Sequence, residues 1–404
     1  MAATGLSGNE IYCLDQKGYT AGNIVVGNSI YSLGVIGSVG AGLKAVMGGE
    51  LEQITKLIEE GREMAYQRML SEASAHHASG ITGVSSELIY HSGYVEFLSI
   101  GSSVHANNKS DTSQFSTSAD GQELFAQLDA GYKPICFAFG NVAYSMGLAR
   151  GVLGTFKTLG RGEIKEFSDI FNHTRHLALE RISEHAKQHK ANAVLGIKTT
   201  ILPFGGVNEM LMIGTASYNS KLPIMSSGTI VTSDLTNVEM WNLAKMGYVP
   251  MRLLLGTSVY SLGIVGGITS ALKSLVRGEI NELTRLIYDA RENALGIINA
   301  EAKAIGADEV VGVKTYVYQL GNGLIEFLAI GTAVKKVADV KTESEQLPPQ
   351  AIVSDKSTFF NGVETFTSVN VNTGSKPVGA VSFIRFIFAI VVILVIVWLQ
   401  MTHQ

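Results

Sequence analysis

The chain contains few cysteines and few charged residues. Its 404 residues include two cysteines, Cys13 and Cys136, which form neither a disulfide framework nor a CxxC motif and fit a reducing compartment. Charged residues make up 16% of the sequence, and the formal net charge is −4. A typical soluble protein has about 25% charged residues, and proteins that bind nucleic acid usually present a basic surface. We therefore expect no nucleic-acid partner.

The first residues also lack the basic and apolar regions of a secretory signal, so none is expected. A long apolar run occurs instead near the other end, from Val378 to Leu399. As a helix this run would span about 33 Å, close to the roughly 30 Å of hydrocarbon in a bilayer. We predict a transmembrane helix over 378–400, with Arg385 near one membrane interface and Trp398 near the other. The alternative is a buried core helix.

Basic residues indicate the orientation of this segment. Lys376 and Arg385 flank its upstream end, whereas only His403 follows it. The positive-inside bias then places the bulk of the chain in the cytosol, as in a single-pass, tail-anchored membrane protein. Residues 335–377, which are rich in Ser, Thr and Asn, predict a linker that tethers the head to the bilayer. The alternative is a partly ordered segment that packs against the head.

One sequence unit occurs three times before this linker. The motif GNSIYSLG at 27–34 recurs as GNVAYSMG at 140–147 and as GTSVYSLG at 256–263. Further residues keep their spacing from the first glycine of each motif. They include a tyrosine (Tyr31, Tyr144, Tyr260), an arginine (Arg62, Arg175, Arg291) and a glutamate (Glu96, Glu209, Glu326). The repetition predicts three homologous domains, at 4–106, 118–217 and 234–334.

Each copy predicts the same order of elements. A short amphipathic helix precedes a strand with β-branched residues, and a glycine-rich segment then leads to a long helix and two closing strands. In the third copy this helix is predicted from Glu279 to about Ile305. The fold class is α+β, with a small antiparallel βαββ sheet on one long helix in each domain. Such a unit leaves strand edges and one sheet face open, so we expect a homo-oligomer that buries these surfaces.

The repeated motifs resemble a known family. The pattern GY-x(7)-GxxxYSxG, the long helix with its arginine, and the closing (V/I/N)E(F/M)LxIG(S/T) are similar to the YbjQ family of heavy-metal-binding domains. The resemblance covers all three repeats, and it implies a dodecin-like fold and ring assembly, since members of that family form pentamers. It supplies no ligand set for a metal. The triplication and the predicted anchor depart from the single-domain members.

Two histidine pairs are the metal candidates from the sequence. His173 and His176, and then His185 and His189, lie three and four residues apart on the second long helix, on one face that could hold Zn²⁺ or Ni²⁺. The equivalent positions in the other repeats are mostly polar, and repeat 3 contains neither His nor Cys. A solvated helix face is the simpler interpretation. We expect no cofactor and no metal site common to the three repeats.

The recurring arginine and glutamate suggest a structural ion pair. We expect it within a domain or between neighbouring subunits, where it would fix the long helix on the sheet. The recurring tyrosines, each followed by a serine, resemble a catalytic pair only superficially, because no nucleophile, base or metal ligand recurs beside them. We interpret them as buried side chains with satisfied hydroxyl groups. We therefore do not expect an enzyme.

Together these features predict a structural protein. The expected function is a tail-anchored homo-oligomeric scaffold that forms stacked rings, a dome or a cage on the cytosolic face of a membrane, each domain forming one tier. The alternative is a membrane-anchored module that binds a metal or a small ligand in pockets between subunits.

Overall fold

The computed structural model describes residues 3–32, 49–108, 114–145, 162–204, 207–222, 228–261, 281–321 and 324–352. The predicted transmembrane helix at 378–400, with Arg385 and Trp398, lies outside these residues, as does the linker from 353 to 377. Among the helices that are described, none has the length and apolar character needed to cross a bilayer.

The chain folds as three units with the same order of elements. Repeat 1 contains α1 (Gly8–Gln16), β1 (Tyr19–Ser32), β2 (Gly49–Glu50), α2 (Glu52–Ala75), β3 (Gly80–His91), β4 (Tyr94–Ala106) and β5 (Phe115–Ser116). Repeat 2 contains α3 (Gly121–Asp129), β6 (Lys133–Ser145), β7 (Gly162–Glu163), α4 (Lys165–Gln188), β8 (Ala193–Phe204), β9 (Val207–Tyr218) and β10 (Val231–Thr232). Repeat 3 contains α5 (Asn237–Lys245), β11 (Tyr248–Ser261), α6 (Asn281–Ala304), β12 (Glu309–Gly321) and β13 (Leu324–Lys336), and α7 (Pro349–Ile352) follows it. The α+β class and the three sheet-and-helix units are confirmed.

The last long strand of each repeat is the central strand of its sheet. β4 lies between β1 and β3, β9 between β6 and β8, and β13 between β11 and β12, and all these pairs are antiparallel. The register places the recurring glutamate opposite the first strand. Its partners are Ile30 for Glu96, Ala143 for Glu209 and Val259 for Glu326. Each glutamate is therefore held in the middle of a sheet.

Each long helix packs closely on the first strand of its own sheet. The motif glycine Gly256 lies so near α6 that a Cβ there would overlap the carbonyl oxygen of Ala294. Two residues later, Ser258 Oγ donates a hydrogen bond of 2.6 Å to the carbonyl oxygen of Ala290. The equivalent glycines, Gly27 and Gly140, approach α2 and α4 in the same way. Glycine at this position therefore allows the helix to contact the sheet backbone.

The long helices also cover the sheet of the following repeat. Ile58 of α2 packs in one cluster with Ala143 and Phe204 of repeat 2, and Phe171 of α4 packs in one cluster with Val259 of repeat 3. Burial in the first strands follows from this arrangement. β1 alternates between buried and exposed residues, whereas β11 is buried almost throughout, as expected for strands with one and two covered faces.

The first part of the linker packs against the repeats. The Ser344 backbone N–H and hydroxyl donate to the buried carboxylate of Asp129, at 3.0 and 2.7 Å. Lys17 Nζ and Trp241 Nε1 each lie 2.7 Å from the same carboxylate. Asp129 thus connects all three repeats to the linker, because a buried carboxylate needs several donors. Of the two interpretations of this segment, these contacts favour the partly ordered one for residues 337–352.

Replacing Gly256 by alanine should destabilise the fold. The added methyl group meets helix backbone, which cannot rotate away, so we expect the free energy of unfolding to fall by about 1–3 kcal/mol. Gly296→Ala on the same α6 is the matched control, since a Cβ there has nothing within 4 Å. It should raise stability by about 0.5–1 kcal/mol through helix propensity. Urea unfolding of the full-length variants would measure both changes, and equal midpoints would contradict the close packing at Gly256.

Candidate functional site

An arginine of repeat 1 is paired with a glutamate of repeat 2. Arg62 of α2 binds Glu209 of β9 through two parallel hydrogen bonds, with Nε 2.9 Å from Oε1 and Nη2 2.6 Å from Oε2. Both side chains are fully buried. The remaining guanidinium nitrogen, Nη1, lies 2.8 Å from Ser86 Oγ. Two-point contacts of this kind fix orientation as well as charge.

The same contact joins repeat 2 to repeat 3. Arg175 of α4 donates from Nε to Glu326 Oε1 of β13 at 3.1 Å, and from Nη2 to the same oxygen. Nε also lies 3.1 Å from Thr257 Oγ1 of the neighbouring strand. Both charged side chains are again buried, and the guanidinium lies 6.0 Å from the centre of the Tyr318 ring. The recurring ion pair is therefore a contact between successive repeats.

This placement differs from the sequence-based expectation. The pair was expected within one domain or between subunits, but α2 and α4 each lie between their own sheet and the next one, so their arginines reach the glutamate of the next repeat. One arginine and one glutamate of the three repeats are not part of these two ion pairs. Arg291 of α6 is exposed. Glu96 of β4 accepts hydrogen bonds from Asn28 and His91, both at 2.8 Å, and these bonds, the Asn28 bond foremost, lower the pKa of Glu96.

The recurring tyrosines lie beside these contacts. Tyr144 and Tyr260 are buried, and Tyr31 is half-buried with its ring edge-on to Phe97 at 5.7 Å. Burial raises the pKa of both Tyr144 and Tyr260, so their hydroxyl groups stay protonated. Asn293 Nδ2 donates to the Tyr260 oxygen at 2.6 Å. The surroundings of these tyrosines favour packing over acid–base chemistry.

A second recurring contact was not identified from the sequence. Thr55 Oγ1 accepts a hydrogen bond from the Ala143 N–H at 2.9 Å, and Ser168 Oγ accepts one from the Val259 N–H at 2.8 Å. Just before each helix, β2 adds to the edge of β6, and β7 adds to the edge of β11. The available signal was a glutamate followed five residues later by Thr or Ser in every copy. These pairs are Glu50 and Thr55, Glu163 and Ser168, and Glu279 and Thr284.

The short helices form a third recurring contact. Glu10 closes the N-terminus of its own α1 through a hydrogen bond from the Ser7 N–H at 2.7 Å, and its other oxygen accepts from the Gly121 N–H of α3 at 3.2 Å. Glu123 likewise accepts from the Asn237 N–H of α5. The glutamate of one helix thus caps the next helix. A Ser/Asp/Thr-x-x-Glu pattern at the start of each repeat carries this signal.

The four candidate histidines do not come together as a metal centre. His173 is exposed, and His176 Nε2 lies 3.8 Å from the carboxylate of Glu301 of α6, which raises the pKa of His176. The His185 and His189 rings are edge-on, with centroids 4.9 Å apart, beside a cleft of about 910 Å³ between α2 and α4. Within the described part of the chain, no group of three or more His, Cys, Asp or Glu residues could hold a metal ion.

The two cysteines are equally poor candidates for ligands. Both are buried and unpaired with each other. Burial raises the pKa of Cys13 to about 11 and that of Cys136 to about 12. Since the thiolate is the form that binds metals, these thiols do not suit a metal site. The described residues therefore do not fit a resident heavy-metal ion.

Comparison with known proteins identifies the repeats. The model of the YbjQ family, described as "Putative heavy-metal-binding", matches the chain three times, at residues 15–105, 132–219 and 244–337. These matches cover more than half of the chain and coincide with the three structural units. Each match includes the recurring tyrosine, arginine and glutamate of its repeat.

The similar proteins fall into two groups: one matches more than one repeat of this chain, and the others match about one repeat. An encapsulin nanocompartment protein of Mycobacterium tuberculosis is 29% identical over 224 residues, which cover 52% of this chain and 83% of that protein. UPF0145 proteins match about one repeat. That of Archaeoglobus fulgidus is 41% identical over 85 residues, covering 21% of this chain and 79% of that protein, and that of Methanoregula boonei is 39% identical over 85 residues, covering 21% and 71%.

Removing the charge of Glu326 should destabilise the contact between repeats 2 and 3. In Glu326→Gln the guanidinium of Arg175 stays buried without its counter-charge, so we expect a loss of about 3–5 kcal/mol in the free energy of unfolding. Glu180→Gln, at an exposed position of the same α4, should change it by less than about 0.5 kcal/mol. Chemical unfolding of the two variants compares them directly. Similar small losses would mean that the buried pair contributes little.

Because of Asp129, the free energy of unfolding should depend on pH in the acid range. Burial raises the pKa of its carboxyl group, but hydrogen bonds from Lys17, Trp241 and Ser344 outweigh this, so the folded pKa lies below the usual value. The stabilisation is then fully present above about pH 3.9, the unfolded pKa, and is lost as pH falls through the lower folded pKa. Asp129→Asn should lower the free energy of unfolding by about 2–3 kcal/mol at pH 7. It should also make this free energy change less between neutral and acid pH than it does in the wild type. A variant with the wild-type pH dependence would contradict this role.

Proposed function

The chain belongs to the YbjQ family, and from this premise we propose that it is the subunit of a homo-oligomeric scaffold anchored in a membrane by its C-terminal segment. The observation that carries the proposal is the buried ion pair that recurs between repeats. Two fully buried guanidinium–carboxylate contacts join three like units into one body. Such contacts suit a protein whose role is to assemble, and no catalytic role is proposed.

The relatives support this direction. One of them is named for a nanocompartment, and its match extends over more than one repeat of this chain. Others match a single repeat, so the unit also occurs outside a tandem array. We propose that this chain links three such units covalently and combines them with further copies to form a shell-like or ring-like particle.

The contacts between repeats modify the expected arrangement. A single domain would offer its open sheet face and strand edge to another chain, but here the neighbouring repeat occupies them, through α2 and β2 in one case and α4 and β7 in the other. We therefore propose that the three repeats occupy successive positions along one ring, in place of three tiers. The predicted helix at 378–400 would then give each copy one membrane anchor. The many anchors of one particle would together bind the bilayer more tightly than a single anchor does.

Metal binding is not proposed as a second function. It would need a cluster of donors, and the histidines, cysteines and carboxylates of the described residues do not supply one. The family description alone does not replace such a site.

The proposal predicts that full-length protein extracted in detergent forms a discrete particle of several subunits. Light scattering would give its mass, and electron-microscope class averages would show whether it is closed. A chain that ends at Pro377 should form the same particle but no longer float with lipid vesicles, which separates assembly from anchoring. A monomer at micromolar concentration would contradict the scaffold proposal.

A further inference from the structure

The first repeat leaves open the sheet face that the other two repeats have covered. In β1, Ile24 is 43% exposed and Ile30 is 59% exposed. The equivalent residues of the other repeats are almost completely buried under the preceding long helix. These are Phe137 and Ala143 in repeat 2 and Leu253 and Val259 in repeat 3. Repeat 1 thus presents an apolar surface of the same position and kind as two surfaces that each bind a helix.

The third repeat leaves open the complementary helix face. Arg62 and Arg175 are at most 1% exposed, whereas Arg291 at the equivalent position of α6 is exposed. Thr284, which matches the interface residues Thr55 and Ser168, is also exposed. The face of α6 therefore carries the two side-chain types with which α2 and α4 bind the following sheet.

The row of short helices ends in the same way. Glu10 and Glu123 each cap the next helix, but Glu239 of α5 is exposed. At the other end, Gly8 begins α1 in open space, and Ile11 is 39% exposed where Leu124 of α3 is fully buried. Three parts of the contact between repeats are therefore unmatched at the two ends of the described array: the packing of a long helix on a sheet face, the arginine–glutamate pair and the capping of a short helix. Repeat 1 carries one partner of each part, and repeat 3 carries the other.

We propose that a second copy of this chain docks head to tail, so that α6 of one copy covers the open β1–β4 face of the next. In this contact Arg291 pairs with Glu96 of the next copy, Thr284 reaches the edge of β1 beside Ile30, and Glu239 caps α1 at Gly8. The inference rests on the proposed function and specifies which surfaces the subunits use. Because the two surfaces differ, the contact is heterologous and propagates until a ring closes.

A second copy fits this surface better than an unrelated partner. The contact continues one that the chain already makes twice, with the same residue types in the same register. The charges also complement each other, since repeat 1 presents the carboxylate of Glu96 and repeat 3 presents the guanidinium of Arg291. Among the described residues of one chain, Glu96 accepts side-chain hydrogen bonds from Asn28 and His91, which the arginine of another copy would replace or join.

A charge exchange in the full-length protein tests the pairing. Glu96→Arg and Arg291→Glu each bring like charges together in a buried contact, and each should weaken association by at least about 100-fold. The double variant Glu96→Arg/Arg291→Glu restores one cation and one anion at every contact, so its particle mass should return toward the wild-type value. An equimolar mixture of the two single variants should also assemble, because opposite charges meet at every contact when the two variants alternate.

The apolar part of the contact is tested separately. Ile30→Asp should reduce the particle to single chains without unfolding them, since Ile30 is exposed in one chain. Tyr218→Asp is the matched control, because Tyr218 is 46% exposed but belongs to the central repeat, and it should leave the particle intact. Light scattering gives the mass, and circular dichroism verifies folding.

The outcomes separate this inference from the proposed function. An oligomeric wild type whose mass is unchanged in Glu96→Arg, Arg291→Glu and Ile30→Asp overturns the head-to-tail contact but leaves a scaffold. A double variant that assembles no better than the single variants overturns the Arg291–Glu96 pair. A monomeric wild type contradicts both.

Discussion

A guanidinium buried away from water must keep a carboxylate beside it, and this constraint organises the whole array. Removing either charge from water costs several kcal/mol, and only close, well-aligned pairing recovers that cost. Since Arg62 and Glu209 belong to different repeats, separating the repeats would expose apolar surface and break a matched pair together. The long helices α2 and α4 are therefore each fixed between two sheets. The three units behave as one body because no unit can satisfy its buried charge alone.

Much of this architecture follows from the sequence. Recurring motifs define three units, and the alternation of strands and a long helix gives the βαββ order. The sequence could not assign the ion pairs, because arginine and glutamate recur identically in all three copies and any copy of one could pair with any copy of the other. Only the position of α2 between two sheets shows that Arg62 reaches repeat 2 rather than its own Glu96. The packing of residues 337–352 against the repeats could not be predicted either, since it depends on the carboxylate of Asp129, which is distant in the sequence.

The histidines show how little spacing alone says about a metal site, and a solvated helix face was the simpler interpretation of their pattern. Their spacing of three and four residues suits a metal site on a helix, yet the same spacing occurs on any solvated face. In the structure each histidine has ordinary surroundings, such as Glu301 beside His176 and the Phe139 N–H, which donates to His185 Nδ1 at 3.3 Å. Spacing alone places side chains on one face, but a metal site also needs a third donor from another element. The neighbouring elements do not bring such a donor within the described residues.

The ends of the array differ from those of an isolated repeat protein. Tandem repeats that end in water usually carry polar residues on their outermost faces. Here β1 keeps Ile24, Val26 and Ile30 on its exposed face, although an unpaired sheet face would be more soluble with Lys, Glu or Thr there. Repeat 1 also keeps its glutamate, and repeat 3 keeps its arginine, although within the described residues neither of them faces another repeat. A contact that forms when copies meet would cover these apolar side chains and pair the two charges, and it explains why both ends keep them.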